Sequence, residues 1–126
     1  MRLNHTIIHA TDARKSATFL ADLLGRPKPH AWGPFWIVDT DNGVSLDYDG
    51  DLDHAIVPQH YAFLISEADF DAVFSRVQKQ GVRFWADPSL TREGEINRND
   101  GGRAFYFLDP DRHVMEVLTV PYGGGR

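Results

Sequence analysis

The chain repeats its own pattern once, and this repeat limits what it can fold into more than any other feature. Shifted by 55 positions, His5 lies over His60, Phe19 lies over Phe74, and Gly25 falls within one residue of Gly81. Two copies of so long a period are too few for a solenoid, whose units must stack at least three deep. A duplicated module is the economical reading.

Each copy has the same local order. "LNHTIIHATD" at 3–12 alternates as a strand, and Thr11 or Asp12 then caps a helix with Ala13, Ala17, Leu20 and Leu24 on one face. Gly25 closes that helix, with Pro27 just beyond. After a Pro- and Trp-containing connection, "FWIVDT" and "VSLDYD" form strands joined through the tight-turn sequence "DNG". The second copy opens with the strand "QHYAFLIS". Ser66 stands three residues before Asp69 at a helix start, and Phe70, Val73, Phe74 and Val77 follow at helical spacing up to Gly81. "VRFW", "RAFYFLD" and "HVMEVLT" complete it as strands, the last two linked by the turn "DPDR". The expected fold is α+β, one domain over 1–126 made of two tandem βαβββ modules, about 1–55 and about 56–122. Together they form a curved, partly open eight-stranded sheet with helices outside and a metal cleft inside. The polar segment at 86–102 is long enough to serve as a lid.

Composition narrows the chemistry. The chain has no cysteine, so thiolate metal sites, disulfides and cysteine nucleophiles are excluded, and any metal must be held by nitrogen and oxygen. A net charge of −5, with no run of Lys and Arg interleaved with aromatics, argues against nucleic acid. No export signal opens the sequence and no apolar stretch nears the ~20 residues of a membrane span, so a cytoplasmic protein without a membrane partner is expected.

Three residues stand out against this background. In the first strand His5, Ile7 and His9 share a face, and the repeat points His60 the same way from the matching strand. Glu116 sits in the middle of the apolar "HVMEVLTV", where an unpaired carboxylate is costly to bury. A divalent cation held by two imidazoles and a carboxylate relieves that cost and leaves positions open for substrate, a set that suits Fe, Mn, Zn or Ni. The ordinary alternatives are a hydrogen-bonded core histidine and a salt bridge from Glu116 to Arg98 or Arg103. Around this set, Tyr106 is the candidate catalytic phenol, donating to a developing oxyanion or acting as a general acid. His9, Trp36, Arg98 and Asp47 are the candidate substrate contacts. Asp47, near the first-copy position of Glu116, is alternatively a fourth ligand or a surface residue. Trp32, Phe35 and Trp85 are read mainly as core, and His30, His54 and His113 as solvated loop or turn residues.

"LNH" at 3–5, "QHYAFLISEADF" at 59–70 and "YFLDPDRHVMEVLT" at 106–119 resemble the vicinal oxygen chelate superfamily, also called the glyoxalase, bleomycin resistance and dioxygenase family. The resemblance covers nearly the whole chain. It implies two βαβββ modules around a divalent metal, ligands at His5, His60 and Glu116, a small-molecule substrate and a homodimer. In motif the chain is most similar to the fosfomycin-modifying thiol transferases, but it departs from them. Ile7 replaces their threonine, Ala86 replaces their lysine, and no basic residue clearly follows the last strand. Arg112 also stands where a turn glycine is usual. The function expected is therefore a divalent-metal-dependent enzyme acting on a small molecule, an extradiol-type dioxygenase first and a glyoxalase-like isomerase or lyase next. A drug- or metabolite-sequestering protein of the bleomycin resistance type and a fosfomycin-type thiol transferase are the rivals.

Overall fold

The computed structural model describes residues 1–123. Two compact units divide it, Met1–Val57 and a second beginning at Pro58. The first contains β1 (His5–His9), α1 (Ala13–Leu24), β2 (His30–Trp32), β3 (Phe35–Asp39) and β4 (Ser45–Asp49). The second contains β5 (His60–Leu64), α2 (Glu67–Lys79), β6 (Phe84–Trp85), β7 (Ala104–Leu108) and β8 (Val114–Leu118), with a short 3-10 turn at Asn99–Gly101 before β7. Each unit is one βαβββ module. The eight strands are hydrogen-bonded as two sheets of four, ordered β1-β4-β3-β2 and β5-β8-β7-β6.

The sequence signals explain most element ends. The Asp12 side chain accepts the Lys15 amide at 3.1 Å, so Asp12 and not Thr11 caps α1, and Gly25 closes it in the left-handed conformation at φ 69°. Ser66 caps α2 by accepting the Asp69 amide, also at 3.1 Å. The strand at His30–Trp32 carries no such signal. It is three residues long and exposed throughout, so neither alternation nor burial marked it, and His30 stands on this edge strand 3.8 Å from Asp39 and not in a loop.

In both modules the first and last strands pair in parallel, with His5 opposite Ser45 and His60 opposite Val114. One face of each sheet carries the helix. On the second, Phe70 and Phe74 of α2 meet Phe84 and Phe105 at ring-centroid distances of 5.1–5.4 Å. Phe70 and Phe105 are fully buried, each contributing roughly 1.5–3 kcal/mol, and the half-buried Phe74 and Phe84 contribute less. On the first, Arg14 of α1 lies 4.9 Å from the Trp36 ring centre.

The segment at 86–102 is internally hydrogen-bonded and tied to β6 and β7, the Gly94 amide donating to the Phe84 carbonyl at 2.8 Å and the Asn97 amide to the Ala104 carbonyl at 2.9 Å. The Asp87 carboxylate accepts the amides of Thr91 and Arg92 and the Thr91 hydroxyl, and the Asn97 amide group donates to the Ala86 carbonyl. At its end Gly102 passes so close to the chain leaving β8 that a Cβ there would stand 2.8 Å from Thr119 Oγ1 and 3.0 Å from Val120 Cβ. His113 differs from its expectation as well. It is buried, its Nδ1 accepts the Gln59 amide at 2.9 Å, and it thereby fixes the residue just before His60.

Arg112 occupies the "DPDR" turn at φ +68°, a left-handed conformation that glycine adopts without a side-chain penalty. Arg112→Gly is expected to stabilise the protein by up to ~1 kcal/mol, since relief of strain exceeds the added unfolded-state entropy. Gly102→Ala is expected to destabilise it by roughly 1–3 kcal/mol through overpacking. Urea midpoints of the two variants check both signs.

Candidate metal centre

Two of the expected donors come together within the second module. His60 on edge strand β5 and Glu116 on β8 share the face opposite α2, since Ala62 is the register partner of Glu116 and His60 lies two residues before it. His60 Nε2 is 3.1 Å from Glu116 Oε1. The imidazole is 45% exposed and the carboxylate 1%, so one partner faces solvent while the other is enclosed.

The protons on this pair can be inferred from its neighbours. His60 Nδ1 lies 3.1 Å from the Val114 carbonyl oxygen, which can only accept, so Nδ1 carries a hydrogen. In the neutral ring Nε2 then presents a lone pair to a carboxylate oxygen. Two acceptors facing each other require a positive centre or a proton between them. A nitrogen and oxygen donor pair of this kind, one member buried, fits a divalent cation of the Mn, Fe, Ni or Zn type.

Tyr106 is the register partner of Glu116 across β7 and β8, and its ring stacks on His60 at 5.9 Å. It lies on the expected face, next to the expected residues. Its hydroxyl is 3.3 Å from the hydroxyl of Tyr122, which in turn lies 2.9 and 3.0 Å from the two oxygens of Glu116. The carboxylate can only accept, so Tyr122 donates to Glu116 and Tyr106 donates to Tyr122. Burial, the bond to Tyr122 and the nearby Glu116 charge all hold the Tyr106 phenol protonated far above its ordinary range.

Other expected contacts are distributed differently. Arg103 is paired with Glu67 and Asp71, and Arg98 is exposed just before the 3-10 turn, so neither serves as the counter-charge of Glu116 in the ion pairs seen here. In the first module Asp47 is opposite Ile7, as Glu116 is opposite Ala62, and is 9% exposed. Asp47 is therefore not a surface residue; it accepts the Ser45 hydroxyl at 2.8 Å. His5 stands on the same face of that sheet with Asn4 Nδ2 2.7 Å from its Nδ1, and the His9 ring meets His54 edge-on at 5.0 Å. Trp36 is corrected: as the partner of Tyr48 it faces α1 under Arg14, away from the His5 face. Alternation instead places Trp32 and Phe35, stacked at 6.4 Å, on the His5 side. Among the described residues no three His, Cys, Asp or Glu side chains are gathered into one cluster.

Tyr122 was missed from the sequence. The available signal was the need of a buried carboxylate for a donor, but nothing local says that a residue beyond the end of β8 folds back to supply it.

A native phenol held protonated binds its proton where the unfolded chain, titrating near pH 10, has lost it, so stability falls as pH rises above ~10. Tyr106→Phe is expected to flatten that decline, measured as urea midpoints between pH 9 and 11.

The model of the Glyoxalase/Bleomycin resistance protein/Dioxygenase superfamily matches residues 2–117. The solved structure of the oxidase ChaP-H1 is 54% identical with a TM-score of 0.94, covering 98% of this chain and 99% of that one. Oxidase ChaP-H2 is 56% identical with a TM-score of 0.94, covering 100% and 98%. A curated relative, glutathione transferase FosA of Serratia marcescens, is 34% identical over 121 residues, 91% of this chain and 78% of its own length.

Proposed function

Since the chain belongs to the glyoxalase/bleomycin resistance protein/dioxygenase superfamily, we propose that it is a divalent-metal-dependent oxidase of a small organic molecule, with His5, His60 and Glu116 as the ligand set. The observation that carries the cation reading is the contact of His60 Nε2 with the enclosed Glu116 Oε1 at 3.1 Å, a nitrogen and oxygen donor pair with one member buried. Oxygen chemistry is favoured over the other reactions of the family by 54–56% identity to two oxidases along almost the full chain. When bound, the cation supplies Lewis acidity to substrate oxygens and a redox-capable centre.

The chain's own groups then have separate tasks. Glu116 contributes charge from an enclosed position, where electrostatic interactions are stronger than in water. His60, half exposed, meets incoming solutes. Tyr106 keeps its proton and passes the donor character of its hydroxyl through Tyr122. His9, Asp47 and Arg98 are the proposed substrate contacts, joined by the exposed Trp32 in place of Trp36. A homodimer and a cytoplasmic location belong to the same proposal. Among the described residues no helix is long and apolar enough to cross a membrane.

The thiol-transferase reading draws on the likeness to FosA, but two positions weigh against it. Ile7 offers no hydroxyl beside His5, and Ala86, 1% exposed, offers no cation. Sequestration without a metal needs no two-His, one-carboxylate set, and the identity to two oxidases does not favour it.

Protein purified without chelators is expected to hold near-stoichiometric divalent transition metal by elemental analysis. His5→Ala, His60→Ala and Glu116→Gln should each lose most of it, and wild type should consume oxygen with at least one member of a panel of hydroxylated aromatics. Metal-free wild type that binds such a compound tightly and unchanged would overturn the oxidase in favour of sequestration.

A further inference from the structure

Glu116 can serve a cation well only if its carboxylate is held in one orientation, and the residues that hold it are not themselves ligands. Its Oε1 faces His60, and Tyr122 donates to Oε1 and Oε2 together at 2.9 and 3.0 Å. We infer that Tyr122 is the positioning residue of Glu116, a donor from the chain beyond β8 that fixes the orientation in which the carboxylate is presented to His60. This inference rests on the cation reading given above.

Several features place the phenol there. Pro121 precedes Tyr122 and restricts the backbone that turns back toward the sheet. The Gly123 amide donates to Asp100 Oδ2 at 3.3 Å, tying the segment to the 3-10 turn. Behind it, the close passage of Gly102 against Thr119 and Val120 settles where the chain leaves β8. Tyr106, donating to the Tyr122 oxygen, takes up one of its lone pairs and leaves its proton directed at Glu116. Residues of all these segments, among them Asn97, Asp100, Leu118, Val120 and Tyr122, line one small recess next to Glu116. Without the hydroxyl the carboxylate is free to turn, and Oε1 loses its fixed direction toward His60.

Partners that orient a ligand typically change metal affinity 10- to 100-fold when removed. Metal-free wild type and Tyr122→Phe are each titrated with Co(II), following heat release and the visible absorption bands. The phenylalanine keeps the ring, and Tyr122 is 53% exposed, so the variant is expected to retain its fold by circular dichroism. The expected result is Co(II) affinity about 10- to 100-fold weaker in Tyr122→Phe, with band positions or intensities altered because the carboxylate coordinates differently. Equal affinity and an unchanged spectrum, or tighter binding in the variant, would overturn the role of Tyr122 while leaving the metal centre standing. Folded wild type that takes up no Co(II) would overturn the metal centre and this inference together.

Discussion

A carboxylate enclosed in an apolar strand dictates the arrangement of one whole face of the second sheet. Glu116 is 1% exposed, and a charge so placed must be met by donors or by a cation. His60 reaches it from the parallel neighbour, Tyr106 stands directly opposite on the antiparallel neighbour, and Tyr122 returns from beyond the strand to bond both oxygens. The strand order β5-β8-β7 is what makes this possible, because it sets β8 between the two strands that carry the imidazole and the phenol.

The two modules keep one register and differ in what they do with it. Asp47 occupies in β4 the place that Glu116 occupies in β8, two residues past the partner of the matching histidine. Its shorter side chain is satisfied by Ser45 on its own strand. Glu116 reaches across to β5 and to the chain beyond β8 instead. Duplication thus supplied two equivalent positions, and one methylene together with a C-terminal tyrosine distinguishes them. The inserted loop of the second module, held by Asp87 and Asn97, supports that tyrosine through Asp100.

How far the sequence could be read depended on how local each signal was. The α1 and α2 boundaries, the "DNG" and "DPDR" turns and the paired faces of β1 and β5 follow from caps and alternation within a few residues. Strand β2 was hidden because an exposed three-residue edge has no burial pattern to reveal it. Trp36 has the aromatic character of a substrate contact, but its parity along β3 turns it under Arg14. His113 looked like a turn residue and is a buried acceptor for Gln59, a partner 54 positions away.

The sequence by itself determined the duplicated βαβββ order, the absence of thiolate ligands and the strand faces that carry His60 and Glu116, because strand parity and a repeat are properties of the linear chain. Only the tertiary structure decided that Tyr122 donates to that carboxylate, that Arg103 is engaged with Glu67 and Asp71, and that the 86–102 segment is pinned. Those depend on where chain ends and loops come to rest, which is set by close packing between segments remote in sequence and has no period to read.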